Sequence, residues 1–292
     1  MTTTPIRKPV IYITNAELLA ELNKCKATFC SYLDDRYVDF DVIINDKSDI
    51  TDELVAELRA KKADRMEKAT KKHLRTIKKP HQIKPHEWQV DPNSIRVEDL
   101  VFRVMTYEHI PAAAPEDLPK KIKTEADNHV KINFPAFKHY ILEEGELREV
   151  GRSHWEGGIG NGWFSQDHGR ITNKMGRMWM KLVERYGSKG NWRGYSYNDE
   201  MQAQALMSLT RFGLQFNEAK SSNPFAYYTV IAQNAFTGVL NKEKRSQGIR
   251  DDLLIMSGET PSMTRQLADE AKAKGEVPAP FIKGKPGRPK KT

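Results

Sequence analysis

The stretch NPFAYYTVIAQNAFTGVLNKEK, from Asn223 to Lys244, decides how this chain is read. Asn223 has a short side-chain amide that can accept a hydrogen bond from the first turn of a helix. Pro224 follows at the first helical position, where its missing N–H costs nothing. The spacing predicts about five turns of helix from there. Phe225, Tyr228, Ala232, Phe236 and Val239 recur as a core stripe does, and Tyr227, Ile231, Asn234 and Gly238 form a neighbouring edge. Lys242, Lys244, Arg245 and Arg250 make the end basic, which suits the negative end of a helix dipole. Aromatic rings first, small polar groups next and cations last also suit a helix lying along nucleic acid, since rings stack on bases and cations meet phosphates. On pattern alone, a packed helix with a solvated end and a nucleic-acid-facing helix both fit.

Upstream of this stretch the periodicity stays helical. Ile171, Met175, Met178, Leu182, Val183 and Tyr186 share one stripe that Gly187 ends. Asn198 is expected to cap the next helix, whose buried side is Met201, Ala205, Leu209 and Phe212. Glu200, Gln204 and Arg211 lie off that stripe. Residues 163–250 thus read as a compact three-helix unit with short connections.

Further upstream the character changes. Thr14 and Glu17 stand at capping-box spacing, so a helix starts there, with Ile13 stapled to Leu18, and is expected to run to about Ser31. A short strand is predicted within residues 37–44. Thr51 caps a second helix that turns strongly basic between Lys61 and Lys79, as a solvated face or a phosphate-facing one. His73, His81 and His86, with Pro80 and Pro85, match no metal spacing and suggest an extended linker. Val101–Tyr107 and Val130–Phe134 read as strands, and Tyr140–Leu142 with Leu147–Val150 as a hairpin. Gly157–Gly162 lacks the strand-then-helix context of a nucleotide loop and reads as a flexible linker.

The expected architecture is therefore mainly α. Residues 1–35 supply an N-terminal helix behind a disordered start. Residues 36–160 form an insert with a basic helix and a small α+β domain. Residues 161–250 are the helical domain, and 251–292 a basic flexible tail. Lys283–Lys291 is a Gly/Pro-rich basic run in which Gly287-Arg288-Pro289 partly resembles an AT-hook core.

The totals exclude some classes. Over 292 residues the mean hydropathy is −0.67, with no run of apolar residues long enough for a membrane span and no leader-like start. A net charge of +8 and a pI near 9.2 favour an anionic partner such as nucleic acid. Cys25 and Cys30 form neither a disulfide framework nor a zinc ligand set, and a reducing, cytoplasmic compartment fits. His109, His129 and His139 have no catalytic partners at recognisable spacing, so no catalytic residues, metal or cofactor are expected.

Residues 163–250 resemble domain 2 of the sigma-seventy family of bacterial RNA polymerase sigma factors, and in particular the small late-transcription sigma factors of tailed phages. The residues that carry the likeness are Glu200-Met201 through Phe216, then Asn223-Pro224, Ala226-Tyr227, Thr229 and Asn234-Ala235-Phe236. Ile11-Tyr12-Ile13-Thr14-Asn15-Ala16-Glu17-Leu18-Leu19 resembles the start of the same factors.

This resemblance implies a sigma domain 2-like helical bundle with two partners, the host's core RNA polymerase and promoter DNA, in the cytoplasm of an infected bacterium. Glu200, Gln202 and Gln204 fall where the family meets the clamp helices of the polymerase's largest subunit. Tyr227, Tyr228, Val230, Ile231, Asn234, Thr237, Lys242, Lys244 and Arg245 fall on the helix that reads a −10-like A/T-rich element and helps open it. Tyr227 sits where the family stacks an aromatic ring on a flipped base, and Asn234 where an amide meets a base edge. The chain departs from the family at Val230 and Ile231, which replace paired tryptophans and shift stacking onto Tyr227 and Tyr228. No reader of a −35 element and no sliding-clamp segment is recognised, and the resemblance leaves room for a viral co-activator. The alternative is a general nucleic-acid-binding structural protein without polymerase contact.

Overall fold

The computed structural model describes residues 13–79, 82–119 and 121–275. The expectations placed on residues 1–12, Pro80, His81 and the basic run 283–291 lie outside these. The described part is about half helical, with one five-stranded sheet. No helix in it is long and apolar enough to cross a membrane.

Helix α1 (Asn15–Ala27) starts as expected: Thr14 and Glu17 exchange the two hydrogen bonds of a capping box. It ends four residues short of Ser31, because Cys30–Tyr32 leaves the helix as strand β1. Cys30 therefore lies on a strand, and both cysteines are free thiols. The expected strand at 37–44 narrows to β2 (Val42–Ile44), since Asp35–Tyr37 closes into a 3-10 turn capped by Asp34.

Thr51 caps α2 (Asp52–Ile77) by accepting from the Leu54 amide. Strand β3 (Phe102–Met105) follows, then β4 (Phe137–Glu143) and β5 (Glu146–Ser153). The β4–β5 hairpin was legible from its sequence. Its two-residue turn, Glu144-Gly145, takes positive φ at both positions, which suits the twist of the flanking strands. The order across the sheet is β1-β5-β4-β3-β2, antiparallel except for the parallel β2–β3 pair, between which α2 crosses over. Val130–Phe134 is not a strand; only an isolated bridge, Ala112 to His129, forms nearby. Nor is Gly157–Gly162 a linker. It is the loop of a small hairpin between β6 (Trp155–Glu156) and β7 (Trp163–Phe164), closed by the Trp155 indole on the Gly158 carbonyl.

Alternation along β3 places Phe102 and Val104 under α2, with Val55, Leu58, Ala63, Leu100 and Tyr140. The intervening Arg103 is buried on the other face. Its guanidinium stacks between Phe40 and Phe137, and it donates to His139 Nε2 at 2.9 Å and to Asn23 Oδ1 of α1 at 3.1 Å. A buried charge needs partners of this kind.

The remaining helices are α3 (Asn173–Gly187), α4 (Asn198–Phe212), α5 (Pro224–Met256) and α6 (Met263–Ala273). Helix α1 joins α3, α4 and α5 in one core, so the helical body has four helices where three were expected. Phe29, Phe134 and Phe137 belong to that same core, so sheet and helices share apolar contacts. Asn198 does not cap α4. It is the first residue inside it, and its side chain instead donates to the Gly187 and Trp192 carbonyls. Residues beyond 250 are not all tail: α5 continues to Met256, and α6 is docked on it by Asp251, which accepts from the Ser262 amide and hydroxyl.

Candidate nucleic-acid interface

Helix α5 is positioned by the residues that its sequence pattern picks out. The Asn223 side chain accepts from the Ala226 amide, and Pro224 occupies the first turn. Tyr228, Ala232, Phe236 and Val239 are buried, whereas Phe225, assigned to the same stripe, is 43% exposed at the helix start. Helix α4 packs alongside through Met201, Ala205 and Leu209. Phe212, expected to continue that buried row, is 44% exposed. The cause is local. Gly213 turns the chain against the Trp179 ring, where an added Cβ would lie 2.3 Å from a ring carbon, and α4 ends as a 3-10 turn over Gly213–Gln215.

Between α4 and α5 lies an open groove of about 700 Å³. Glu200, Gln204, Ser208 and Phe212 line it from α4 at steps of four residues, with Gln215 beyond them. Tyr227, Val230, Ile231, Asn234, Gly238 and Lys242 line it from α5. Tyr227 is half-buried. Its phenol donates to the Phe212 carbonyl at 2.9 Å, and burial holds its pKa above the usual tyrosine value. Its ring lies 5.5 Å from that of Phe216. Val230 is exposed, as is the Asn234 amide. Across the groove, Lys242 Nζ lies 3.5 Å from Glu200 Oε1. Both are largely solvated, so this pair adds little stability.

The groove therefore gathers most of the residues singled out in sequence, and it gathers them from both sets. Glu200 and Gln204, expected at the polymerase, share it with Tyr227, Val230, Ile231, Asn234 and Lys242, expected at DNA. Arg245 is exposed on α5 one turn past Lys242. Thr237 is exposed and Lys244 half-buried; they continue from Val230 at seven-residue steps along the flank of α5, but only Val230 lines the groove. Two residues are placed elsewhere. Gln202 turns to the end of α3, donating to Asn198 Oδ1 at 2.6 Å and packing near Gly187. Tyr228, expected to share the stacking, is wholly buried against Trp179, with ring centroids 5.7 Å apart. One residue along a helix turns the side chain by about 100°, which is enough to move Tyr228 from the groove to the core.

Phe212, Ser208 and Gln215 were missed as groove residues. The four-residue steps from Glu200 were readable, but the exposure of Phe212 depends on where Gly213 breaks the helix. Chemically the groove offers apolar walls, two partly exposed aromatic rings, three amides and one charge of each sign. Among the described residues, no three His, Cys, Asp or Glu side chains come together as a metal site. In comparisons with known proteins, no family model, curated protein or solved structure matches this chain.

Proposed function

We propose that this chain is a sigma-type initiation factor that joins bacterial core RNA polymerase and directs it to late viral promoters by recognising and helping open a −10-like A/T-rich element. The single observation that carries the reading is the α4–α5 groove. It joins Glu200, Gln204, Tyr227 and Asn234, which are among the residues that carry the sigma resemblance, into one exposed surface of suitable chemistry. A base flipped out of a duplex needs an apolar slot, a flat ring face and amide groups for its edge. Tyr227 with Val230 and Phe212 supplies the first two, and Asn234, Gln204 and Gln215 the third. Lys242 and Arg245 extend the surface towards phosphates, which adds affinity without sequence information. The chemistry of RNA synthesis belongs to the polymerase, so the chain itself is not an enzyme in this reading.

A second reading, a general nucleic-acid-binding structural protein, draws support from the Glu200–Lys242 pair. It joins a residue expected at the polymerase to one expected at DNA across a single groove. Co-purification with bacterial core RNA polymerase, followed by run-off transcription on an A/T-rich −10-like template, separates the two. Stoichiometric binding and promoter-dependent transcripts are the expected result. Retained salt-sensitive DNA binding with no polymerase contact would replace the first reading by the second.

A further inference from the structure

Helix α2 carries Lys61, Arg65, Lys68, Lys72 and Arg75 at alternating steps of four and three residues, and Lys79 follows two residues past its end. Such steps return to nearly the same side of a helix, so the five helical cations form one row. At about 1.5 Å per residue the helical row is about 21 Å long. All six residues are exposed. The orientation of the row is set by packing on the other side of α2. Val55, Leu58 and Ala63 are buried there, Glu67 Oε1 accepts from the Val90 amide at 3.2 Å, and Lys71 Nζ sits 3.0 Å from the centre of the Trp88 ring.

The two halves of the row differ. Lys61 pairs with Glu57, Arg65 with Asp41, and Lys68 with Asp64. Lys72, Arg75 and Lys79 have no ion-pair partner among the described residues, and like charges at these spacings weaken a helix. The small side chains of Ala69 and Thr76 border the row, while the exposed apolar residues Met66 and Ile77 lie round the helix from it. A protein partner would set apolar anchors at the centre of its interface. A row of cations without such anchors fits a regular polyanion.

We propose that α2 is a second, sequence-independent contact that lies along the phosphate backbone of duplex DNA, apart from the α4–α5 groove. The helical row spans the axial length of about six base pairs. Arg75 supplies a planar fork for one phosphate, while Lys72 and Lys79 act as point charges. The polymerase reading is not needed for this contact.

The test is binding of the full chain to a random-sequence 24-base-pair duplex with no A/T-rich element, measured across a range of salt concentrations. One variant combines Lys72→Gln, Arg75→Gln and Lys79→Gln. A control combines Lys123→Gln, Lys220→Gln and Lys274→Gln, removing the same charge from exposed positions elsewhere. Each phosphate contact contributes about 0.9 to the slope of log affinity against log salt, so the α2 variant is expected to lose about 2.7 of it. It should bind at least about tenfold more weakly at low salt, with a melting temperature no lower than the parent's, and the control should stay near the parent. An unchanged slope in the α2 variant overturns the proposal, and so does an equal loss in both variants, which would mean that only net charge matters. Polymerase co-purification of the same proteins reads the groove separately, so either idea can fail alone.

Discussion

The Tyr227 phenol, on the second turn of α5, donates to the Phe212 carbonyl at the last residue of α4, 2.9 Å away. This bond closes one end of the groove and turns the Tyr227 ring edge towards α4. Ring and hydroxyl then have separable roles. Tyr227→Phe keeps the ring and leaves a helix-terminal carbonyl to solvent, with an expected stability loss of about 1 kcal/mol. Tyr227→Ala removes the ring as well, and stacking contributes roughly 1–3 kcal/mol per base. Run-off transcription on a −10-like template should therefore fall little for Phe and at least about tenfold for Ala. Equal activity of the two variants would remove Tyr227 from the proposed base contact.

The opposite end of the groove makes a different prediction. Glu200 and Lys242 are exposed, and their 3.5 Å contact is solvated. Glu200→Lys should change stability by no more than about 0.5 kcal/mol, as expected for a surface site. In the sigma reading it should abolish co-purification with core polymerase while leaving salt-sensitive DNA binding in place. Retained polymerase binding would exclude Glu200 from that contact. Gln202→Ala offers a contrast, because Gln202 braces Asn198 and not the groove. Its effect should appear in melting temperature rather than in polymerase binding.

How far the molecule could be read from its sequence depended on the range of the interactions involved. The caps at Thr14, Thr51 and Asn223 are local hydrogen bonds, and sequence placed all three correctly. The buried stripes of α3 and α5 repeat over several turns and were equally legible. Strand β1 was not: Cys30–Tyr32 is three residues long, prolongs the apolar pattern of α1, and exists only because β5 lies beside it. The length of α5 was missed although Ile249, Leu253 and Met256 recur at helical spacing, because they lie past the basic stretch and, being exposed, do not continue the buried stripe. In the site, the shared edge of Tyr227, Ile231, Asn234 and Gly238 followed from helical spacing, and Lys242 from the basic end of the stretch. The misplacement of Tyr228 and Phe212 came from which neighbour each meets, Trp179 in one case and the turn at Gly213 in the other.

That turn can be tested directly. A methyl group at position 213 would meet the Trp179 ring at 2.3 Å, and the ring is itself buried. Overpacking of this kind costs about 1–3 kcal/mol. Gly213→Ala should lower the denaturant midpoint by a corresponding amount and weaken groove-dependent binding, because Phe212 and Gln215 flank the displaced turn. A wild-type midpoint would mean that Trp179 has room to move.

Lys26 on α1 is wholly buried, donating to the Phe216 carbonyl at 2.8 Å and to Glu218 at 2.5 Å. Burial lowers its pKa to about 8 against the opposing pull of Glu218, so desolvation outweighs the pair. Removing one partner should be worse than removing both. Glu218→Gln leaves a buried ammonium without its countercharge and is expected to cost about 3–5 kcal/mol. The double variant Lys26→Met with Glu218→Gln should recover part of that loss. Equal midpoints for the single and double variants would show that the charge pair is not the source of the cost.

The β domain should be labile to acid. Burial lowers the pKa of His139 to about 3, helped by the Arg103 guanidinium that donates to its Nε2, while its Nδ1 faces the Tyr37 carbonyl. His154 falls to about 3, through burial and then its neighbour His109, and His109 to about 4, through burial and then Lys138. An unfolded histidine titrates near pH 6.5. All three folded values lie below that, so each group's share of stability is complete above pH 6.5 and declines as the pH falls towards 3–4. With three protons taken up on unfolding, the slope approaches about 4 kcal/mol per pH unit in the lower part of that window. Urea midpoints should therefore be flat from pH 8 to 7 and fall steeply between pH 6 and 4.5. His154 has φ 52°, a backbone conformation that asparagine tolerates, so His154→Asn can test one share of the effect. It should make the acid limb shallower by about one third, and an unchanged limb would mean that His154 takes up no proton on unfolding.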